Sequence, residues 1–174
     1  MTELSKWFTH DGNDNVTAKD LIKHFRSENL EVPKDAVAFY EKYNGVSISD
    51  FDYAFFLDVP KDFETKEELF FYGFLDVESI INDDKEFRNY SYPKNMILLT
   101  DTQPGYIILS LDPLSHGQVL FCESDVVDEQ MEGYSTVACV LEDFDYPNKP
   151  LPKIMFKIAD SFTEFLEKIE VKEY

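Results

Sequence analysis

At 174 residues the chain is long enough to bury one core without disulfide staples, and with 44% hydrophobic and 16% aromatic residues it is not a disordered segment. Its 35 acidic residues against 16 basic ones leave a formal charge of -19. That charge serves solubility, repels nucleic acid and anionic membranes, and suits a protein partner with a basic face.

The opening residues, MTELSKWFTHDGND, contain no apolar stretch, so no signal peptide is expected. No apolar run approaches the ~18 residues of a membrane span, and a cytoplasmic location follows as the expectation. Helical spacing of Ala18, Leu21, Ile22 and Phe25 predicts a helix over 17–29, with Thr17 as cap and Asp20 three residues later. A second helix follows in EVPKDAVAFYEKYNG (31–45). Pro33 suits its first turn, and Ala36, Phe39, Tyr40 and Tyr43 form its apolar stripe. Asn44-Gly45 stops it, because both residues tolerate the left-handed backbone.

The period then changes. YAFFLDV (53–59) and ELFFYGF (68–74) read as aromatic strands, and VESIINDDKEFRNY (77–90) as a short polar helix running into a loop. NMILLTD (95–101), GYIILSL (105–111) and GQVLFCE (117–123) read as three strands joined by short turns, hence antiparallel neighbours. STVACVLEDF (135–144) is a further strand candidate, and DYPNKPLPK (145–153), with three prolines, a surface loop. The last helix carries Phe162, Phe165, Leu166 and Ile169 on one face behind a Ser161/Glu164 capping pair. This order predicts a single α+β domain on a mostly antiparallel sheet, with N-terminal helices and a C-terminal helix packed against it.

Motifs that carry chemistry are scarce. His10, His24 and His116 do not form a pair at metal-ligand spacing, and there is no P-loop or G-x-S-x-G elbow. DGNDN (11–15) begins like a calcium loop, but its glycine falls at position 2 and Ile22 stands where the bidentate Glu belongs, so it reads as a solvated turn. The triplets at 50–52 and 143–145, both Asp-Phe-Asp, place two acids on one face of a strand, where they could hold Mg²⁺, but a buried Phe between solvated acids is the favoured reading. Cys122 and Cys139 are far apart without a C-x-x-C, which excludes a disulfide scaffold and the common zinc modules. Cys122 with His116 as nucleophile and base is the weaker reading beside a buried, inert thiol. No catalytic residue, metal or cofactor is expected.

LEVPKDAVAFYEKYNG (30–45) resembles the signature of the SUKH superfamily, the Smi/Knr-like proteins, with a proline-started helix ending in Tyr-Asn-Gly. The segment 92–125, YPKNMILLTDTQPGYIILSLDPLSHGQVLFCESD, is similar to the family's run of three strands, and IADSFTEFLEKI (158–169) to its terminal helix. Val46 and Tyr106 depart from the pattern, standing where a small and a polar residue are typical, and 126–157 is longer than the family pattern, which marks a variable insertion. The resemblance implies a non-enzymatic protein. Many bacterial members are immunity proteins that neutralise toxin domains, often nucleases, and some fungal members are signalling scaffolds.

An immunity protein of this charge is expected to meet its toxin through acids at loops and strand ends. The candidates are Asp50, Asp52, Glu123, Asp125, Glu142, Asp143 and Asp145, with Phe51, Phe144 or Tyr146 as aromatic anchors. Two other readings stay open on the sequence. One is a regulatory or scaffold module of the same fold. The other is a carboxylate-based hydrolase, since so many acids leave any pair of them uninformative. Oligomeric state is not legible.

Overall fold

The computed structural model describes residues 4–10, 12–13, 15–50, 52–60, 68–87, 93, 95–102, 105–123, 144–152 and 154–173. The chain passes through a 3-10 turn (Leu4–Trp7), β1 (Phe8–His10), α1 (Ala18–Arg26), α2 (Lys34–Tyr43), β2 (Val46–Ile48), β3 (Tyr53–Asp58), β4 (Glu68–Phe71) and β5 (Gly73–Phe74). It continues through α3 (Val77–Phe87), β6 (Met96–Asp101), β7 (Gly105–Ser110), β8 (Val119–Glu123), β9 (Met155–Ala159), α4 (Phe162–Lys168) and β10 (Glu170–Glu173). This is the expected α+β domain, and every strand pairing among the described residues is antiparallel. The strands divide into three sheets rather than one, in the orders β1-β2-β5, β10-β3-β4 and β6-β7-β8-β9. ELFFYGF accordingly breaks at Tyr72, with β4 in one sheet and β5 in another.

The helix ends follow from local chemistry. At the start of α1 the Asp20 carboxylate accepts the Thr17 N–H at 2.9 Å and its hydroxyl at 3.1 Å, which satisfies a donor the helix itself leaves unpaired. The same bonds hold the Asp20 carboxyl below its usual range. Pro33 caps α2, and Asn44 ends it at φ 41°, ψ 55°. Ser161 caps α4 by accepting the Glu164 N–H at 3.1 Å. Asp35, in the first turn of α2, accepts the Thr163 N–H at 2.9 Å and ties the two helices together.

The four-stranded sheet is buried on both faces, which explains its unbroken apolar runs. Ile97, Leu99, Ile107, Leu109, Val119 and Phe121 join the main core, where the helices and both smaller sheets meet. Alternate residues Met96, Leu98, Ile108, Leu120 and Cys122 form a second cluster against Phe144, Tyr146 and Leu151. In the main core Phe165 lies against Phe71, Phe74 and Phe162, with ring centres 5.9–6.4 Å apart. Val46, where the family pattern departs, is buried in β2, and Tyr106 packs on the second cluster. Of the stretch 126–157, residues 144–152 form the expected loop and 155–157 the first half of β9. The strand candidate at 135–144 lies outside the described residues except for Phe144.

Candidate partner-binding surface

The β10-β3-β4 sheet turns one face to the core and the other outward. Phe55, Leu57, Leu69 and Phe71 belong to the core. Strand alternation places Phe56 and Asp58 of β3 on the other side, with Glu68 and Phe70 of β4 and Glu170 and Lys172 of β10. Phe56 and Phe70 are register partners with ring centres 6.2 Å apart, and Tyr72, 44% exposed, continues the row beside Phe70. This outer face therefore has an aromatic middle.

Its rim is acidic. Asp58 stands directly opposite Glu68, a like-charge pairing that costs stability in a sheet. Lys172 pairs with Glu68 and, at 3.1 Å, with Glu170, while its ammonium lies 5.6 Å from the centre of the Phe56 ring. Asp58 has no such cation among the described residues. A shallow groove of mixed charge continues from this edge between β3, β9 and α4, where Asp58, Glu167 and Glu170 stand with Lys157 and Lys168. This face carries none of the residues expected from the sequence to bind a partner. Its signal was the alternation in FFLD and ELFFY, which puts one Phe of each pair outside.

The acids expected to carry binding divide differently. Asp50 and Asp52 are exposed in the turn that leads into β3, where an Asp50 carboxylate oxygen accepts the Asp52 N–H at 3.1 Å. Asp145 is exposed and accepts from the Asn148 side chain at 3.1 Å. Glu123 corrects the expectation of an exposed acid at a strand end. It is 3% exposed, because its N–H pairs with the Ile154 carbonyl at 2.8 Å and Gly105 packs against its backbone. Asp125, Glu142 and Asp143 lie outside the described residues, as does Phe51. Phe144 and Tyr146 are half-buried on the second cluster, where the Tyr146 hydroxyl donates to Gln118 at 2.7 Å.

The residues weighed for catalysis are placed elsewhere. Cys122 is fully buried, and burial, with the Glu123 charge second, pushes its thiol up to about 12, which leaves no nucleophilic thiolate at neutral pH. His116 contacts the Glu31 carbonyl at 2.8 Å instead of the thiol. Among the described residues Asp83 and Asp101 have raised carboxyls. Burial acts first on Asp83, followed by the charges of Asp101, Glu86 and Asp76, and burial raises Asp101. Neither residue lines the groove beside β3. Asn13 of the calcium-like stretch donates to Glu78 at 2.8 Å, and the Asn13 side chain accepts the Asn15 N–H at 3.0 Å, as in an ordinary Asx turn.

The signature Tyr-Asn-Gly has a structural explanation. The Asn44 amide donates to the carbonyls of Asn13, at 3.0 Å, and Val16, at 2.8 Å, while its oxygen accepts the Val77 N–H at 3.2 Å. One side chain thus joins the loop before α1, the end of α2 and the start of α3. A Cβ on Gly45, at φ 86°, would stand 2.6 Å from the Asp76 Cβ.

No described helix is long and apolar enough to cross a membrane. No curated protein and no solved structure matches the chain significantly. The model of the SMI1 / KNR4 family (SUKH-1) matches residues 15–168, spanning the Asn-Gly stop, the four-stranded sheet and the closing helix, and the chain belongs to that family.

Proposed function

We propose that the protein is a cytoplasmic immunity protein that binds and neutralises a polymorphic toxin domain, one with a basic, nuclease-type surface. In this reading it is not an enzyme: it supplies a shaped acidic face and no reacting group. The observation that carries the reading is the charge of -19 together with carboxylates left side by side, Asp58 opposite Glu68, on a face with an aromatic middle. A cationic partner relieves that repulsion, and a nuclease offers such cations because it must hold phosphate. The aromatic row supplies the apolar anchors from which binding energy comes. Asp50 and Asp52 extend the same charge at the start of β3. Asp125, Glu142, Asp143 and Asp145 are kept as further contact candidates, and 126–157 as the stretch that varies from member to member.

The experiment is to identify the gene adjacent to this one, express the toxin-type domain it encodes, and mix that domain with the purified chain. Capture of that domain, loss of its nuclease activity at one-to-one ratio and weakening by salt support the proposal. A neighbouring domain that stays active with the chain in excess overturns it.

A further inference from the structure

We infer that His24, Glu28 and Asp84 form a binding site for a divalent transition-metal ion of the zinc type, which clips α1 to α3. His24 is in the last turn of α1 and Glu28 in the turn just after it, so four-residue spacing brings both to one side. Asp84 arrives from α3. The three ligand atoms lie within 4.8 Å of one another. The His24 Nε2 and an Asp84 carboxylate oxygen are already 2.6 Å apart, and Asp84 is 3% exposed.

The donor set selects the ion. Zinc binds imidazole nitrogen and carboxylate oxygen at about 2.0–2.2 Å, which separates neighbouring ligands of a tetrahedron by roughly 3.4 Å. The His24 and Asp84 atoms must therefore part by under about 1 Å, and the Glu28 carboxylate must close in by at most about 1.4 Å from the 4.8 Å limit, both within reach of side-chain torsions. Imidazole favours zinc, copper or nickel over magnesium and calcium, which prefer oxygen alone. Three protein ligands leave one position for water or for a group brought by a partner. A carboxylate this buried needs a compensating cation or hydrogen bonds. The imidazole meets it now, and the ion would meet all three residues at once. The site is hidden in the sequence because His24 has no second histidine at metal-ligand spacing and Asp84 lies sixty residues away.

The inference is independent of the proposed toxin, so it is tested on the chain alone. After dialysis against a chelator, Zn²⁺ is titrated by calorimetry and thermal unfolding is followed with and without it. One high-affinity ion per chain is expected, with a rise in Tm that Mg²⁺ does not reproduce. His24→Gln and Asp84→Asn should each weaken binding at least tenfold. Asp84→Asn alters a buried contact and can cost folding, so Glu28→Gln decides, with an expected tenfold loss and no change in metal-free Tm beyond about 2 °C. His116→Gln should bind zinc as the parent does. Zinc affinity unchanged in both Glu28→Gln and His24→Gln overturns the inference. So does binding of several ions that Mg²⁺ displaces equally, which is the behaviour of a diffuse acidic surface.

Discussion

Asn44 is a non-glycine residue with positive φ whose side chain makes three bonds to two other segments, the loop before α1 and the start of α3. Two costs can be separated there. Asn44→Gly keeps the left-handed turn and loses only the amide bonds, at roughly 1 kcal/mol each. Asn44→Ala loses the same bonds and adds the left-handed strain of a Cβ, about 1 kcal/mol more. Chemical denaturation should therefore rank parent, Asn44→Gly, Asn44→Ala, with the alanine variant down by about 3–4 kcal/mol. Equal stability of the two variants would show that the turn conformation is not what Asn provides. Asp83 makes the opposite case. Its folded pKa lies above 3.8 because it is partly buried and faces Asp101, Glu86 and Asp76. The folded state then holds the proton more tightly than the unfolded one, so the penalty is absent below pH ~3.8, grows as pH rises through the folded value, and is complete at neutral pH. Asp83→Asn should stabilise the protein at pH 7 by a few tenths of a kcal/mol, about 1 °C in Tm after allowance for solvent screening, and leave it unchanged near pH 3.5. A neutral-pH loss of stability would mean that the carboxylate makes a contact worth more than its repulsion.

At the scale of elements, α4 is the clearest test of how the core is held. Phe162 and Phe165 are fully buried and Leu166 is 4% exposed, and Phe165 touches rings from both smaller sheets. Phe165→Ala should cost about 3–5 kcal/mol, through lost burial and the cavity left behind. That is a large part of the 5–15 kcal/mol available to a domain. Thermal unfolding unchanged in this variant would make α4 peripheral. Its spacing, its Ser161 cap and its burial were legible because helix periodicity survives in seven residues with three large side chains. The cap of α1 and the stop of α2 were legible for the same reason: capping is local chemistry. Partition among sheets was not. β1, β2, β9 and β10 are three to five residues long, too short for alternation to show, and each is defined by a partner far away in the chain, as β10 is by β3. Glu123 was misjudged because β8 looks like a strand that ends in solvent. The Ile154 carbonyl, thirty-one residues on, takes up its N–H, a contact that the local sequence does not show. The outer aromatic face was hidden in the other direction, since Phe56 and Phe70 look like core until the register shows which Phe of each pair points inward.

At the scale of the whole molecule, the acid placement makes a kinetic prediction. A charge of -19 sets up a field that acts on an approaching basic domain well before contact, and screening shortens its reach to about 8 Å at physiological salt. Charges at the rim therefore govern association, while buried anchors govern dissociation. Asp50→Asn with Asp52→Asn preserves the turn, because an amide oxygen still accepts the Asp52 N–H that Asp50 now accepts. Asp58→Asn removes one member of the like-charge pair and should stabilise the free protein slightly. Each change should slow association with the cognate toxin by roughly twofold to fivefold at low salt, and the difference from the parent should fade as salt rises. Tyr72→Ala should leave the association rate alone and speed dissociation about tenfold or more, some 1.4 kcal/mol of binding. Asp145→Asn is the discriminating variant. It sits beside the second cluster, not on the three-stranded sheet, so an effect as large as that of Asp58→Asn would move the contact to residues 125–145. Stopped-flow rates at two salt concentrations separate these outcomes. If Asp58→Asn and Tyr72→Ala both bind as the parent does, the aromatic face is not the toxin surface, whatever the total charge contributes to solubility.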